Sequence, residues 1–507
     1  MNLLPIRKIS LICVWTICVS ETVASAQLGR NGSPIATSQY AVDLYQGPVT
    51  TSTRVIGMGG AYDAIAEGSE GNFVNPAAAA IRMPWSYTHL DYDLGAGVAL
   101  PSTFSNADFF NSGSDRTNLS TSSQNNFVFL DLEGHLQLGP WGLGTAVALQ
   151  QYGLSRDNKA SSASSNQRIQ AQFAIGLLHL ARSFVHGQLL FGAGIRYTGM
   201  NVLNQNSQIY NGQTLFTTQG VGYEFGWLWR PYNQVFRLGA SVRSAVTTKA
   251  ESGSNIAADA NGNRLLFPGT ADQMYLPDEV ALPWEWSLGF AVQLGSRPFN
   301  PRWTDPHDIL ADIRQTVREN ELDRDQRKRQ LLTDIPDAAE DGEKKRAQVL
   351  AELKAENDKD EEMLQQAIAR TRRLLKAREK QLGRWYLLMA TSLKVSGPVK
   401  NAVGVESFLQ RVVDHSGDRV VASPHLGVES EVIPNWLKLR AGLYGEPTRF
   451  SNNRAGPRTH TTFGFESKLF SWSVFGLYDS DTQWRIQAAL DSSQRYFAWS
   501  ASLGVWH

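Results

Sequence analysis

The sequence predicts an all-β protein: a 14-stranded antiparallel transmembrane β-barrel with an N-terminal plug (hatch) and an inserted periplasmic α-helical hairpin. Three observations lead there. Segments that alternate apolar with polar or small residues recur from about residue 85 to the C-terminus, and a glycine-rich stretch precedes them. Charge is confined: 37 of the 96 Asp, Glu, Lys and Arg residues fall between Asp305 and Arg384, so the remainder is poor in charge and that block reads as a separate module. The organisation expected is a signal peptide at 1–26, the hatch at 27–84, strands one to eight at 85–295, the charged hairpin at 296–384 and strands nine to fourteen at 385–507.

Arg7 and Lys8 precede an apolar stretch from Ile9 to Val19, and Ala24-Ser25-Ala26 offers small residues for cleavage before Gln27. That is the pattern of a secretory signal. Its core is too short to cross a bilayer, and no later window approaches the roughly 20 apolar residues that a spanning helix needs. Any membrane crossing must therefore use strands.

Both cysteines, Cys13 and Cys18, lie within the signal, so the mature chain carries neither a disulfide nor a thiolate site. The net charge of zero argues against nucleic acid, whose binders normally carry a basic surplus.

Lipid cannot hydrogen-bond the backbone, so a spanning sheet must close and must alternate apolar residues outward with polar or small ones inward. Between Phe127 and Leu138, Val128, Leu130, Leu132, Leu136 and Leu138 share one face, while Asp131, Glu133, His135 and Gln137 share the other. The latter face is expected to be a solvated lumenal wall. Trp141, Leu143, Val147 and Leu149 oppose Gly142, Gly144, Ala146 and Ala148, so something is expected to pack against that small inward side. Val221, Tyr223, Phe225, Trp227 and Trp229 oppose Gly222, Glu224, Gly226 and Arg230, and the last two strands repeat the pattern from Trp484 and Tyr496. A soluble barrel or sandwich is the alternative, but it needs neither a signal nor aromatic residues at strand ends.

Strand starts are expected near Trp85, Phe127, Trp141, Ile169, His186, Gln219, Asn233, Trp284, Trp385, His425, Trp436, His460, Trp484 and Tyr496. An even number puts both barrel ends on the periplasmic side. Long connections rich in Ser, Asn and Gly follow the odd strands through the eleventh, and tight turns such as Gly139-Pro140 follow several even ones. The exception is the connection between strands eight and nine. There Ile309, Ile313 and Val317 recur at fourfold spacing, and after Ile335-Pro336-Asp337 a second segment carries Leu350, Leu353, Leu364, Ile368 and Leu375. This reads as two antiparallel helices. A solvated arm is one reading of it; a docking arm for a periplasmic protein or envelope partner is the other.

The segment from Gly57-Met58-Gly59-Gly60-Ala61 to Asn75-Pro76-Ala77 resembles the plug of the FadL-type family of outer-membrane transporters for long-chain fatty acids and other hydrophobic compounds, with PorV-like features in its Arg54-Val55-Ile56 lead-in. Pro283-Trp284-Glu285-Trp286-Ser287-Leu288-Gly289 looks like that family's strand entry after a long external loop, and His425-Leu426-Gly427-Val428-Glu429 with Leu439-Arg440-Ala441-Gly442-Leu443-Tyr444 looks like its late hairpin. The hairpin of helices belongs to neither pattern.

The resemblance implies a bacterial outer-membrane channel for passive uptake of a fatty-acid-like hydrophobic small molecule, with membrane lipid around it. Met58, Tyr62, Phe73, Asn75 and Pro76 are the hatch and ligand-contact candidates that it suggests. Phe104, Phe109, Phe110, Leu265, Leu266 and Phe267, apolar clusters in polar loops, are candidates for an external groove. The alternative is a PorV-like scaffold that binds proteins and transports no small molecule; an open porin is disfavoured by the plug. No Gly-x-Ser-x-Gly element occurs, the nine histidines are scattered, and near-matches to a dinucleotide loop such as Gly192-Ala193-Gly194 lack a third glycine. No enzyme, cofactor or metal site is expected.

Overall fold

The computed structural model describes residues 28–82, 86, 88–101, 108–113, 121–157, 167–204, 213–251, 256–266, 268, 269, 273–334, 342–434, 436–451, 456–469 and 483–506. The signal expected at 1–26, the strand start at Trp85, and Phe104 and Phe267 lie outside these residues.

Fourteen strands close into one barrel. They are β1 (Leu90–Pro101), β2 (Thr121–Leu138), β3 (Trp141–Asp157), β4 (Gln167–Phe184), β5 (Leu189–Asn204), β6 (Gln213–Trp229) and β7 (Phe236–Arg243). Then follow β8 (Glu285–Gly295), β9 (Tyr386–Ser396), β10 (Val421–Ile433), β11 (Leu437–Glu446), β12 (Arg458–Lys468), β13 (Gln483–Ser493) and β14 (Tyr496–Trp506). Each pairs antiparallel with its neighbours, and β1 closes on β14 through pairs such as Leu94 with Val505.

The faces separate as lipid requires. Leu130, Leu132, Leu136 and Leu138 of β2, Val221, Tyr223 and Phe225 of β6, and Ile486 and Leu490 of β13 are all exposed on the outside. Their inward neighbours Asp131, Glu133, Glu224, Arg485, Gln487 and Asp491 are buried. A water-soluble barrel would invert this arrangement, so the chain spans a membrane, and a closed, even-stranded barrel of this kind places it in the bacterial outer membrane. No helix among the described residues is long and apolar enough to cross.

The barrel is not uniform in height. A spanning strand needs about 9–11 residues, which the 11-residue β8, β9, β13 and β14 provide. The 16- to 18-residue strands β2 to β6 overshoot it. Gln151, Gln172, Thr217 and Gln219 face outward on β3, β4 and β6 above the apolar band, so the surplus lies at the end opposite the entry of β1, the external end.

The chain threads this cylinder before it forms the wall. The strand Ala41–Asp43 pairs in parallel with Glu279–Leu282 and with Ala402–Gly404, both of which come from connections at the external end. It is the middle strand of a five-stranded cap completed by Val246–Lys249 and His415–Ser416. The chain then descends through the short helix Thr53–Gly57 and the 3-10 turns Ser69–Phe73 and Pro76–Ala80 before entering β1 at the opposite end. The hatch thus has two parts, an external cap strand and a lumenal plug.

The plug explains two features of the wall. The solvated wall expected of Asp131, Glu133 and His135 is not found: all three are buried, because the turn Ser69–Phe73 lies against that part of the lumen. The small inward side of β3 does receive a partner, with Gly142 against Ala79 and Gly144 against Asn72.

Between β8 and β9 the helices α1 (Ala311–Asp334) and α2 (Gly342–Gln381) form the hairpin. At 1.5 Å per residue the 40-residue α2 extends about 60 Å. The expected apolar positions Ile313, Val317, Leu353, Leu364, Ile368 and Leu375 are half-buried, whereas Leu350 is exposed, as is Ile309, which lies in the separate turn Pro306–Ile309 before α1. The middle of the seam is polar: Arg324 reaches Asp360 and Asn357, Asn320 also reaches Asp360, and Arg327 pairs with Glu356 at 2.7 Å.

Candidate functional site

Ion pairs join the plug to the lumenal wall. Arg54, on the first plug helix, donates from Nε and Nη2 to the two carboxylate oxygens of Glu429 on β10, both at 3.0 Å. Glu429 also accepts from Arg440 and, at 2.8 Å, from the Tyr386 hydroxyl, while Arg440 and Lys438 share Glu466. Lower in the plug, Glu67 accepts from Arg237 at 2.9 Å, and Glu70 lies 3.0 Å from Arg485, which also holds Asp93 at 2.9 Å. Every carboxylate in these pairs is buried, so each would be costly alone.

Four of the five hatch candidates anchor the plug. Met58 is fully buried, its carbonyl facing Gly427 of β10. The Tyr62 hydroxyl donates to the Glu67 carbonyl at 2.6 Å, and the Arg54 guanidinium lies 5.3 Å from its ring. Asn75 caps the turn Pro76–Ala80 by accepting from the Ala77 N–H at 3.0 Å, while its amide donates to the carbonyls of Asp63 and Trp227. Pro76 fills the first position of that turn, where its missing N–H costs nothing. Phe73 alone of the five lines open space.

That space is a lumenal cavity of about 160 Å³ between plug and wall. Its apolar side is made by Val49, Val55, Phe73 and Val74 of the plug, Phe173, Ile175 and Leu177 of β4, and Leu282. Its polar side is a chain of paired charges: Glu224 with Arg243 at 3.1 Å, Arg243 with Glu285 at 3.3 Å, and Glu285 with Lys394 at 3.0 Å. His425 also lines it. Its Nδ1–H donates to the Gly59 carbonyl at 2.7 Å, which leaves Nε2 as an acceptor with no hydrogen-bond partner among the described residues.

The external candidates are placed otherwise than an open groove requires. Phe109, Leu265 and Leu266 are buried and Phe110 is half-buried. Phe109 packs edge-on against Phe110 and Phe129, with ring centroids 5.0 and 5.5 Å apart. They form the interior of the external cap. The cavity residues Phe173, Ile175, Glu224, Arg243, Glu285 and Lys394 were not among the site candidates expected from the sequence, although Glu224 was placed on an inward face and Glu285 in the strand-entry motif. Inward-facing charges on several strands were the available signal, but nothing local says which of them meet.

No protein-family model matches the sequence, and no curated protein matches it. Among solved structures the chain is similar to the Pseudomonas putida toluene transporter TodX, at 11% identity over 93% of this chain and 99% of that one, with a TM-score of 0.45. It is also similar to a Pseudomonas aeruginosa FadL homologue, at 12% identity over 94% and 99% with a TM-score of 0.45. A third is the CymD monoaromatic hydrocarbon channel, at 11% over 91% and 98% with a TM-score of 0.43.

Proposed function

We propose that the chain is an outer-membrane channel for passive uptake of small hydrophobic molecules, which wait in the lumenal cavity and move on when the plug shifts. The cavity carries this reading: an apolar-sided pocket of about 160 Å³, bounded on one side by a plug that packs against the wall through non-covalent contacts and is joined to it where the chain enters β1. By volume, a cavity of about 150 Å³ is enough for benzene. The resting cavity therefore suits a ring-sized hydrocarbon, and an extended fatty acyl chain would need the plug to move further. Burial supplies affinity at about 0.8 kcal/mol per methylene.

The test is uptake by cells that depend on this chain, with labelled single-ring hydrocarbons and labelled long-chain fatty acids compared against a deletion strain. Uptake unchanged by the deletion for both classes ends the transporter reading.

A protein-binding scaffold is the second reading, favoured by one feature. Leu322, Leu331, Leu350, Met363 and Leu374 are exposed along an arm about 60 Å long. Removal of α1 and α2 separates the two readings, since a scaffold loses its partner and a channel keeps its flux.

A further inference from the structure

The base of the hairpin gathers three metal-ligating side chains, one of them remote in sequence from the other two. His89 ends the chain's exit from the plug, one residue before β1 begins. Asp305 and His307 open the hairpin arm, 216 residues further on. The His89 Nδ1 lies 3.0 and 2.9 Å from the two Asp305 carboxylate oxygens. The rings of His89 and His307 lie face to face, with centroids 3.8 Å apart and planes 6° from parallel. One donor atom from each of the three residues falls within 4.8 Å of the others.

We propose that His89, Asp305 and His307 form a site for a divalent first-row cation of the Zn²⁺ type, which clamps the helical arm to the periplasmic rim of the barrel. Two imidazoles and a carboxylate are a zinc ligand set, with water in the fourth position. Two bonds of about 2.0 Å at the tetrahedral angle hold their donor atoms about 3.3 Å apart. The His89–Asp305 separation already meets that spacing to within a few tenths of an ångström. Only His307 has to swing from its stacked position, and it is exposed.

The residues around the site favour a loaded state. Asp305 is fixed as the N-cap of the turn Pro306–Ile309, accepting from the His307 N–H at 2.8 Å. A hydrogen bond between His89 and Asp305 explains those two residues without a metal, but it assigns no role to the second ring laid over the first.

The site also touches the plug. Arg82, the last described plug residue before the rim, donates to the His89 carbonyl at 2.5 Å, and its guanidinium lies 4.0 Å from the Trp303 ring centroid. A cation here would therefore fix the arm against the point where plug becomes barrel.

The experiment uses the full mature chain in detergent, stripped with a chelator and titrated with Zn²⁺ by calorimetry, with Co²⁺ as an optical probe. One ion per chain is expected. His307→Ala and His89→Ala should each weaken binding at least tenfold. Asp305→Asn should weaken it while keeping the helix cap, because Asn caps as well as Asp. His186→Ala, at an exposed turn on the same barrel end, should bind as the parent does. Spin labels on α2 and on the rim should show a narrower distance distribution with Zn²⁺, and heat-modified gel mobility reports whether each variant's barrel is folded. Binding in the folded His89→Ala/His307→Ala double variant equal to the parent's, or no binding by the parent, overturns the proposal.

Discussion

Gly142 of β3 faces the Ala79 carbonyl of the plug with no room for a Cβ between them. Gly192 stands in the same relation to the Pro76 carbonyl, and Gly226 faces the Asn75 side-chain amide oxygen and the Pro76 ring and nitrogen. The wall is therefore shaped around the plug backbone. A side chain at any of these positions must push out the plug or distort the strand, at about 1–3 kcal/mol or more. Gly142→Val is expected to leave the barrel assembled and the plug displaced, and planar-bilayer recordings should show raised conductance. Gly176→Val, where a Cβ meets only Tyr197 at 3.9 Å, is the matched control and should stay closed. Equal conductance in the two variants would separate plug seating from these contacts.

Arg54 and Glu429 make the most complete of the plug's ion pairs, and their removal should not be symmetrical. Without Arg54, Glu429 keeps Arg440 and Tyr386. Without Glu429, Arg54 keeps only Glu67 at 3.5 Å and Arg440 keeps Glu466, so two buried cations lose the carboxylate they share, and breaking a buried pair costs about 3–5 kcal/mol. Glu429→Ala should therefore lower the thermal midpoint of barrel unfolding well below that of Arg54→Ala. Arg54→Ala should act mainly as faster hydrogen exchange across the helix Thr53–Gly57. An Arg54→Ala variant as destabilised as Glu429→Ala contradicts this ordering.

The wall was far more legible in the sequence than what it contains. Each of the thirteen strand starts expected within the described residues falls about six or fewer residues from the observed one, because lipid imposes a period of two that a single slip would reverse along the whole strand. The same alternation marked the inward face of β3 as a surface awaiting a partner. It could not show that Asp131, Glu133 and His135 face a plug rather than water, since a lumenal wall has the same pattern in either case. Nor could it show that Ala41–Asp43 pairs with Glu279–Leu282, a parallel contact between very short strands with no local signature. The scattered histidines hid His89 and His307 for the same reason: only the path of the chain after β8 carries Asp305 and His307 to the start of β1, seven strands away around the barrel.

Ile175 points into the lumenal cavity opposite Phe73. A cavity of about 160 Å³ has little spare volume, so Ile175→Trp should narrow it substantially. Uptake of single-ring hydrocarbons is expected to fall at least fivefold, with the amount of folded protein in the outer membrane unchanged. Phe73→Ala should enlarge the cavity and shift preference toward larger ligands, at a stability cost of about 3–5 kcal/mol typical of such truncations. Flux insensitive to both substitutions would remove the cavity from the path.

Asp360 joins the two hairpin helices, and the hydrogen bond from Arg324 holds its carboxyl below the usual range, helped by Asn320. A group whose pKa is depressed by folding stabilises the folded form above its unfolded value, near 3.9, and loses that contribution as pH falls through the lower folded value. The seam should therefore be intact at pH 6 and should loosen below about pH 4, before the barrel itself responds. Asp360→Asn should remove this acid dependence and already exchange faster at neutral pH. The effect is modest because the pair is near the surface and salt screens it. Hydrogen exchange over α1 and α2 between pH 3 and 6 provides the measurement, and an acid profile identical in parent and Asp360→Asn would show that this carboxylate does not hold the arm together.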